Sequence, residues 1–509
     1  MAHRFLFLGL CLPVILDAFI THFFPEQALV SFLITAFFYC LMGIKFYKTK
    51  TYSPLIWVIF LLGIALRFFY IAYNPIYFRQ QDVGQFTEEG RGHFQYIYYI
   101  LKYHTLPFLH RPPILPIYHP PLYHILAALF LSLTSVHENL QYLTLICATG
   151  CALFSYFFLR TFLKTDQSRL IAALFCSFFP TFIYFSGKLN NDALSTFLTL
   201  ASVFFFLQHL TKPGIKNLML SAFLLGLASM TKFTTVLFFL GIGFYYLSAL
   251  ILRQITFKQA VKEGLIFNCI YLPLMALWPI CILIRWGTFQ GFSAHQWYHF
   301  SIKLMGYNPF LHLDTTSIDP LQYVGGYSLL ERLGPIFEPL SYPFVLRGAW
   351  LPTQYPEYNV WLCLIKSALF DEWALFKLGA TPLQTIGFDF SVILLLLGEI
   401  LFCIFLWSFF KVKRRDKVTV FCQSVLLMVM AGFIHFCFWC PVFFACLFRY
   451  IAALFPFCCY FVIQYLQKNL ASSTTGHQKI KKTIGYGLVL FSVLSGFVYT
   501  LYGILSFSL

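Results

Sequence analysis

The sequence predicts an all-α polytopic membrane protein, and three observations predict it. Hydrophobic residues make up 59% of the 509 positions, aromatics 20% and charged residues only 11%, more apolar surface than a water-soluble fold can hide. Apolar runs of about 20 residues, the length that crosses the ~30 Å hydrocarbon layer, recur from one end of the chain to the other. Basic residues outnumber acidic ones, 35 to 19, and they cluster between the apolar runs. That distribution marks membrane orientation, not nucleic-acid binding.

In order, the candidate spans are 5–24, 27–47, 54–73, 119–136, 141–163, 168–186, 192–210, 216–231, 233–252, 264–285, 388–410, 418–440, 443–466 and 484–507. The first opens MAHRFLFLGLCLPVILDAF, which has the look of a signal peptide without a convincing small-residue cleavage site, and is read as a retained anchor. Basic clusters fall at Lys45/Lys48/Lys50, Arg160/Lys164/Arg169, Lys212/Lys216, Arg253/Lys258/Lys262, Lys411/Lys413/Arg414/Arg415/Lys417 and Lys468 with Lys479/Lys481/Lys482. Taken as cytoplasmic, they place 74–118 and 286–387 on the far side. Parity then lets only two of the three apolar segments between 118 and Asn190 cross; 119–136, short and opened by two prolines, is the weakest, with 141–163 as the alternative. About 13 spans are expected. The chain divides into a hairpin at 1–50, a transmembrane module at 51–285, a large outer loop at 286–387 and C-terminal helices at 388–509.

Fifteen cysteines suggest no disulfide framework, because nearly all, such as Cys147, Cys151, Cys269, Cys403, Cys458 and Cys459, lie inside apolar segments. Cys363 alone is clearly in the large outer loop, and Cys437 and Cys440 share CxxC spacing by chance in a span. GxxxxGK[ST] and GxGxxG loops are absent, as are internal repeats.

The outer loops carry the chemistry. QQDVGQFTEEGRGHFQYI, at 80–97, places acids and bases beside a membrane segment. From Gly92 the chain reads GHFQYIYYILKYHTLPF, with Phe94, Ile97, Ile100 and Leu101 at helical spacing among tyrosines. This predicts a helix lying flat at the interface with tyrosine hydroxyls in the headgroups. A carboxylate at Asp82 would then meet a lipid-carried substrate, whereas Glu88, Glu89 and Arg91 read as solvated charges. HPPLYHIL starts a helix with His119 just before it, and a helix N-terminus suits a phosphate. His124 reads as an interfacial histidine. GKLNNDAL supplies Lys188, then Asn190, Asn191 and Asp192 as caps for the next span. Lys232, between two spans, reads as a snorkelling lysine. Arg449, about two turns inside a span, requires either snorkelling or an anionic partner.

Together these features resemble the GT-C glycosyltransferases, most closely family 39 in its bacterial form, which is related to protein O-mannosyltransferases and the lipid A aminoarabinose transferase. The likeness is carried by DVGQF, GHFQYIYYI, YHPPLYHILAALF, SGKLNNDALSTF, GLASMTKFT, NVWLCLIKSALFDEW and FRYIAALFPF, over residues 54–466. The first two spans look like an added hairpin. The chain has Tyr118-His119-Pro120 where the aminoarabinose transferase typically has an acidic residue, Lys and Pro, and Asp82-Val83 where mannosyltransferases usually carry Asp-Glu.

The resemblance implies a GT-C bundle with interfacial helices in the outer loops. It implies transfer of a sugar, with inversion, from a polyprenyl-phosphate donor (dolichyl or undecaprenyl) to a protein, lipid or glycan acceptor. Asp82 matches the family's catalytic aspartate, the general base, with His119 and Asp192 beside it in the catalytic set. His119, Lys188 and Arg449 are candidates for the donor phosphate, Arg332 and Lys366 for closing over it, and His93, Tyr118, Asn190 and Asn191 for orienting base and substrate. The expected location is a bacterial plasma membrane with the site facing outward, or the endoplasmic reticulum membrane in a eukaryote. A nucleic-acid partner is not expected. No cofactor is required by this reading; Asp314, Asp319, Glu331 and Glu338 could hold a divalent cation, though no ligand spacing demands one. The proline-broken loop 286–387 reads as a lid, its last segment as an amphipathic helix over the site. Two other readings remain open, a transporter or flippase and a polymerase or ligase of lipid-linked polysaccharide. A ligase would rest on arginines and a histidine in the later outer loop.

Overall fold

The computed structural model describes residues 2–76, 83–87, 92–107, 119–286, 332, 343–347, 355–356, 359–372, 374–376, 379–412, 416–439, 443–468 and 475–506. Helices α1 (Ala2–Phe23), α2 (Ala28–Lys48) and α3 (Tyr52–Ala72) open the chain. Two short helices follow, α4 (His93–Tyr103) and α5 (Leu122–Thr134). The central helices are α6 (Leu140–Arg160), α7 (Asp166–Ser177), α8 (Pro180–Tyr184), α9 (Asp192–Thr211), α10 (Ile215–Ser229), α11 (Val236–Ile251) and α12 (Phe257–Trp286). The C-terminal set is α13 (Val360–Phe370), α14 (Pro382–Lys411), α15 (Lys417–Trp439), α16 (Phe455–Lys468) and α17 (Thr475–Ser506). Among the described residues the only β-structure is a short antiparallel ladder, Leu346–Arg347 on Tyr355–Pro356.

The all-α polytopic class is what the structure shows. Nine described helices are long and apolar enough to cross a membrane, and the pair Asp166–Ser177 and Pro180–Gly187, bent by 49°, makes a tenth when taken as one span. The expected spans at 119–136, 216–231 and 443–466 contribute shorter apolar helices, while α1, over 5–24, runs 22 residues; among the described residues, length and composition alone do not reach 13. Of the two contested segments α6 has spanning length. The 13 residues of α5 rise only about 20 Å.

Three expectations are corrected. The segment 443–466 is not one helix: 3-10 turns at Phe443–Cys446, Phe448–Tyr450 and Ala452–Leu454 precede α16. Pro456, lacking an N–H, sits in the first turn of α16, where proline is tolerated. Arg449 therefore lies in a turn, not inside a helix. The α4 helix forms where expected, but Tyr96 and Tyr99 are buried with Phe94 and Ile97 instead of reaching headgroups, because α5 packs over them and the His124 ring stacks on Tyr96 at 3.9 Å. Nor is α13 an amphipathic cover: Val360 and every residue from Leu362 to Phe370 are buried.

The placement of α13 follows from its ends. Asn359 Oδ1 accepts from the N–H groups of Trp361 (3.0 Å) and Leu362 (3.1 Å), a side-chain cap. At the other end Tyr184 donates to Ser367 O (3.0 Å), Thr181 to Ala368 O (2.7 Å) and Tyr499 to Leu369 O (2.7 Å). Ser367 O also accepts from the Asp371 N–H at 3.1 Å, while Ala368 and Leu369 bear carbonyls of the last turn, which a helix leaves without intrahelical partners. The α8 and α17 helices thus fix where α13 stops.

The bend between α7 and α8 is held by Arg67 of α3, which is buried. Its Nε donates to Phe182 O (2.8 Å), Nη2 to Ser177 O (2.9 Å) and Nη1 to Gly63 O (2.7 Å). A charge in an apolar span is tolerable when its nitrogens find carbonyls, as all three do here. Close contact elsewhere depends on a small residue: a Cβ at Gly241 of α11 would lie 2.8 Å from the Val425 backbone of α15, so the two helices touch at backbone distance. Replacing Arg67 with Leu strands the Ser177 and Phe182 carbonyls, at about 1–3 kcal/mol each. Thermal unfolding of purified protein in detergent should show a markedly lower midpoint for Arg67→Leu than for the native chain.

Candidate active site

The start of α9 is assembled from short polar bridges. Gln141 Nε2 donates to Asn74 O (2.8 Å) and Gly187 O (3.1 Å), and Thr144 donates to Ser186 O (2.8 Å). Asn190 Oδ1 accepts from the Asp192 N–H at 3.0 Å, a local turn of the kind short amide side chains make; Asn191, at the N-cap, makes no side-chain cap bond. Asn191 Nδ2 donates to Thr231 O at 3.0 Å, tying the α10–α11 connection to the same place. Leu122 N donates to Met230 O at 3.0 Å, so the start of α5 docks there too, with His119 just ahead of it.

Charged side chains from separate segments converge on this junction. Lys232 pairs with Asp192 Oδ1. Arg449 Nε lies 3.7 Å from Asp192 Oδ2, and its Nη1 lies 2.9 Å from Glu372 Oε1. Lys188 pairs with Asp371. All six side chains are buried, Asp192 at 2% exposure and Glu372 at 0%. The three carboxylates and three cations balance formally, which is what lets so many charges leave water. Tyr450 backs the two cations nearest Asp192: Lys232 Nζ is 4.4 Å and the Arg449 guanidinium 5.4 Å from its ring centroid.

Backbone geometry aims the acids. Phe448 N donates to Ser367 Oγ at 2.9 Å, anchoring the turn that bears Arg449 to α13. Asp371, immediately after α13, has φ 61° and ψ −146°, close to a region that glycine occupies and that costs other residues about 1–3 kcal/mol. That turn directs Asp371 to Lys188 and the next residue, Glu372, to Arg449.

A histidine stack borders the cluster. His93 Nδ1 and His124 Nε2 are 2.9 Å apart, and the His93 ring stacks on His119 with centroids 5.6 Å apart. Dense packing around a partly exposed ring, then His93 and the Lys232 ammonium, holds the His119 imidazole well below its usual range. It is therefore neutral at physiological pH, a hydrogen-bonding group beside the cations. His124 is fully buried, not interfacial as its sequence position suggests.

Of the residues singled out from sequence, the structure brings Lys188, Asn190, Asn191, Asp192, His119 and Arg449 to one junction, with His93 adjoining. Arg332 lies elsewhere, its Nη2 donating to Cys437 O at 3.1 Å and to Cys446 Sγ at 3.5 Å. Lys366, buried in the middle of α13, has Glu399 of α14 as a charged neighbour. Asp82, Tyr118, Glu88, Glu89, Arg91, Asp314, Asp319, Glu331, Glu338 and Cys440 lie outside the described residues. Among the described residues no group of three or more His, Cys, Asp or Glu is arranged to hold a metal ion. Sequence reasoning missed Lys232, Asp371 and Glu372 as members of the cluster. Lys232 is buried against Asp192 and does not snorkel; its signal was an ionisable residue between apolar spans, a functional candidate by default.

Residues 118–280, about a third of the chain, match the dolichyl-phosphate-mannose-protein mannosyltransferase family. No individual curated protein matches the chain. The matched stretch contains His119, Lys188, Asp192 and Lys232, and stops short of Glu372 and Arg449. This similarity supports, at a coarse level, membrane glycosyltransferase chemistry with a lipid-linked sugar.

Removing one partner of a buried ion pair costs about 3–5 kcal/mol, because the other charge is left uncompensated. Lys232→Met should therefore destabilise strongly, and adding Asp192→Asn should recover part of that loss. Thermal melts of the two single variants and the double variant measure this; strictly additive losses would mean that the two charges do not interact.

Proposed function

We propose that the protein is an inverting glycosyltransferase that moves a sugar from a polyprenyl-phosphate donor to a hydroxyl-bearing acceptor on the outer face of the membrane. The observation that carries this reading is the convergence of Lys232 and Arg449 on Asp192. Two buried cations from different segments meet where an anion is held, and their charge is neutralised internally by Asp192 and Glu372. A donor phosphate entering there meets two cations that Asp192 and Glu372 already hold in place, so no unpaired buried charge need wait for the donor.

In the proposed reaction the acceptor oxygen attacks the anomeric carbon from the face opposite the phosphate. The bond from that carbon to the phosphate oxygen breaks with its electron pair on the oxygen, and the acceptor proton passes to a carboxylate. Lys232 and Arg449 stabilise the charge that builds on the departing phosphate. Both oxygens of Asp192 face cations, so it suits the task of holding them in place. The base is then assigned to Asp82, through its match to the family's catalytic aspartate. His119, neutral beside the cations, suits a hydrogen bond to donor or acceptor.

The test is transfer in reconstituted membranes with a panel of polyprenyl-phosphate sugars. Asp82→Asn should lower turnover by roughly 10²–10⁴-fold, the usual worth of a positioned base, with donor affinity little changed. Arg449→Ala should weaken donor binding in addition to turnover. Full turnover in Asp82→Asn would remove it as base, and no transfer from any donor by the native chain would end the enzyme reading.

A further inference from the structure

A second feature extends away from the ion cluster. A cavity of about 1410 Å³ lies among α7, α13, α14, α16 and α17, larger than the ~300–1,000 Å³ of ordinary small-molecule sites. Its walls are almost wholly aliphatic and aromatic. The polar exceptions gather at one end, where Lys48, Lys164, Lys481 and Lys482 form a rim with Gln167 and Gln467, and no carboxylate lines the cavity. Asp166, the nearest acid in sequence, is engaged by Arg169 at 3.0 Å. These lysines stand at helix ends, on the α6–α7 connection, at the end of α2 and in the first turns of α17.

The opposite end of the cavity reaches Phe448 and Ile451, which flank Arg449. Along α16, from Phe455 to Gln467, the distance between the two ends is about 18 Å, more than half of the ~30 Å hydrocarbon layer. A ligand whose anionic group sits at the lysine rim therefore has its apolar part inside the protein, with its end against the turn that carries Arg449. A donor phosphate at Arg449 would occupy the other extreme.

We propose that this cavity is a binding site for an anionic glycerophospholipid of the leaflet on the lysine side, with its phosphate at Lys48, Lys164, Lys481 and Lys482 and its acyl chains in the cavity. Charge complementarity selects the headgroup, since basic side chains near a membrane surface attract anionic lipid, and the cavity's size and apolar walls select chains. The site is independent of the proposed sugar transfer, and its test reads lipid binding without any transfer assay.

The full-length protein is reconstituted in mixtures of phosphatidylcholine and phosphatidylglycerol, extracted, and weighed with its retained lipids by native mass spectrometry. The native chain should retain phosphatidylglycerol in preference to phosphatidylcholine, and phosphatidylglycerol should raise its melting temperature. The variant Lys164→Glu/Lys481→Glu/Lys482→Glu, altered only at the rim, should bind it well over 100-fold more weakly, since loss of the attraction of three lysines alone gives roughly 100-fold and three new carboxylates repel the phosphate. The milder Lys164→Gln/Lys481→Gln/Lys482→Gln should fall between. Equal retention of the two lipids by the native chain, or undiminished phosphatidylglycerol in both variants, would overturn the proposal. So would competitive release of phosphatidylglycerol by a polyprenyl phosphate, which would make the cavity part of the donor site.

Discussion

The contact between Asp192 and its two cations is the constraint on which the rest of the molecule turns. A carboxylate buried at the start of α9 is stable only while Lys232 and Arg449 face it, and each comes from a different part of the chain. To bring them together, α10 must end just before Lys232 and the chain after α15 must leave α-helical geometry at Arg449. A helix through 443–454 would carry Arg449 along a regular axis; the 3-10 turns present its guanidinium to both Asp192 and Glu372. The fold tolerates irregular backbone here because it is enclosed by protein, where its polar groups find partners.

The same reasoning explains why so little of the polar chemistry lies on long spans. Lys188, Asp192, Lys232, Asp371, Glu372 and Arg449 all sit at helix ends, connections or turns, where backbone direction changes and side chains from several helices can meet. The long helices supply a lipid-facing wall, as the exposure of Ile284, Phe410 and Phe37 illustrates. Their inner faces fix distances.

Much of this was legible in the sequence, and the reason is hydropathy. Apolar stretches of spanning length predicted the helical class and most helix positions, and ionisable residues inside or beside those stretches pointed to Asp192, Lys188 and Arg449. Direction was not legible. Hydropathy tells that Lys232 is near a membrane boundary but not that it turns inward to Asp192, and it tells nothing of which acid meets which base. Asp371 and Glu372 were passed over because the segment before them reads as an outer cover, when α13 is in fact sealed inside by Thr181, Tyr184 and Tyr499. Arg332 and Lys366, equally basic and equally buried, went to other neighbours.

The hydroxyl of Tyr499 gives the chain's order of synthesis a consequence. It sits on α17, later in the chain than every charged member of the cluster, yet fixes the end of α13, which positions the acid facing Arg449. A nascent chain that has already released every charged member of the cluster from the ribosome still lacks the strut that seats them. Seating of the cluster is thereby deferred until α17 has been made, and a chain that stops before Tyr499 leaves the end of α13, and with it Asp371 and Glu372, without that hydrogen bond.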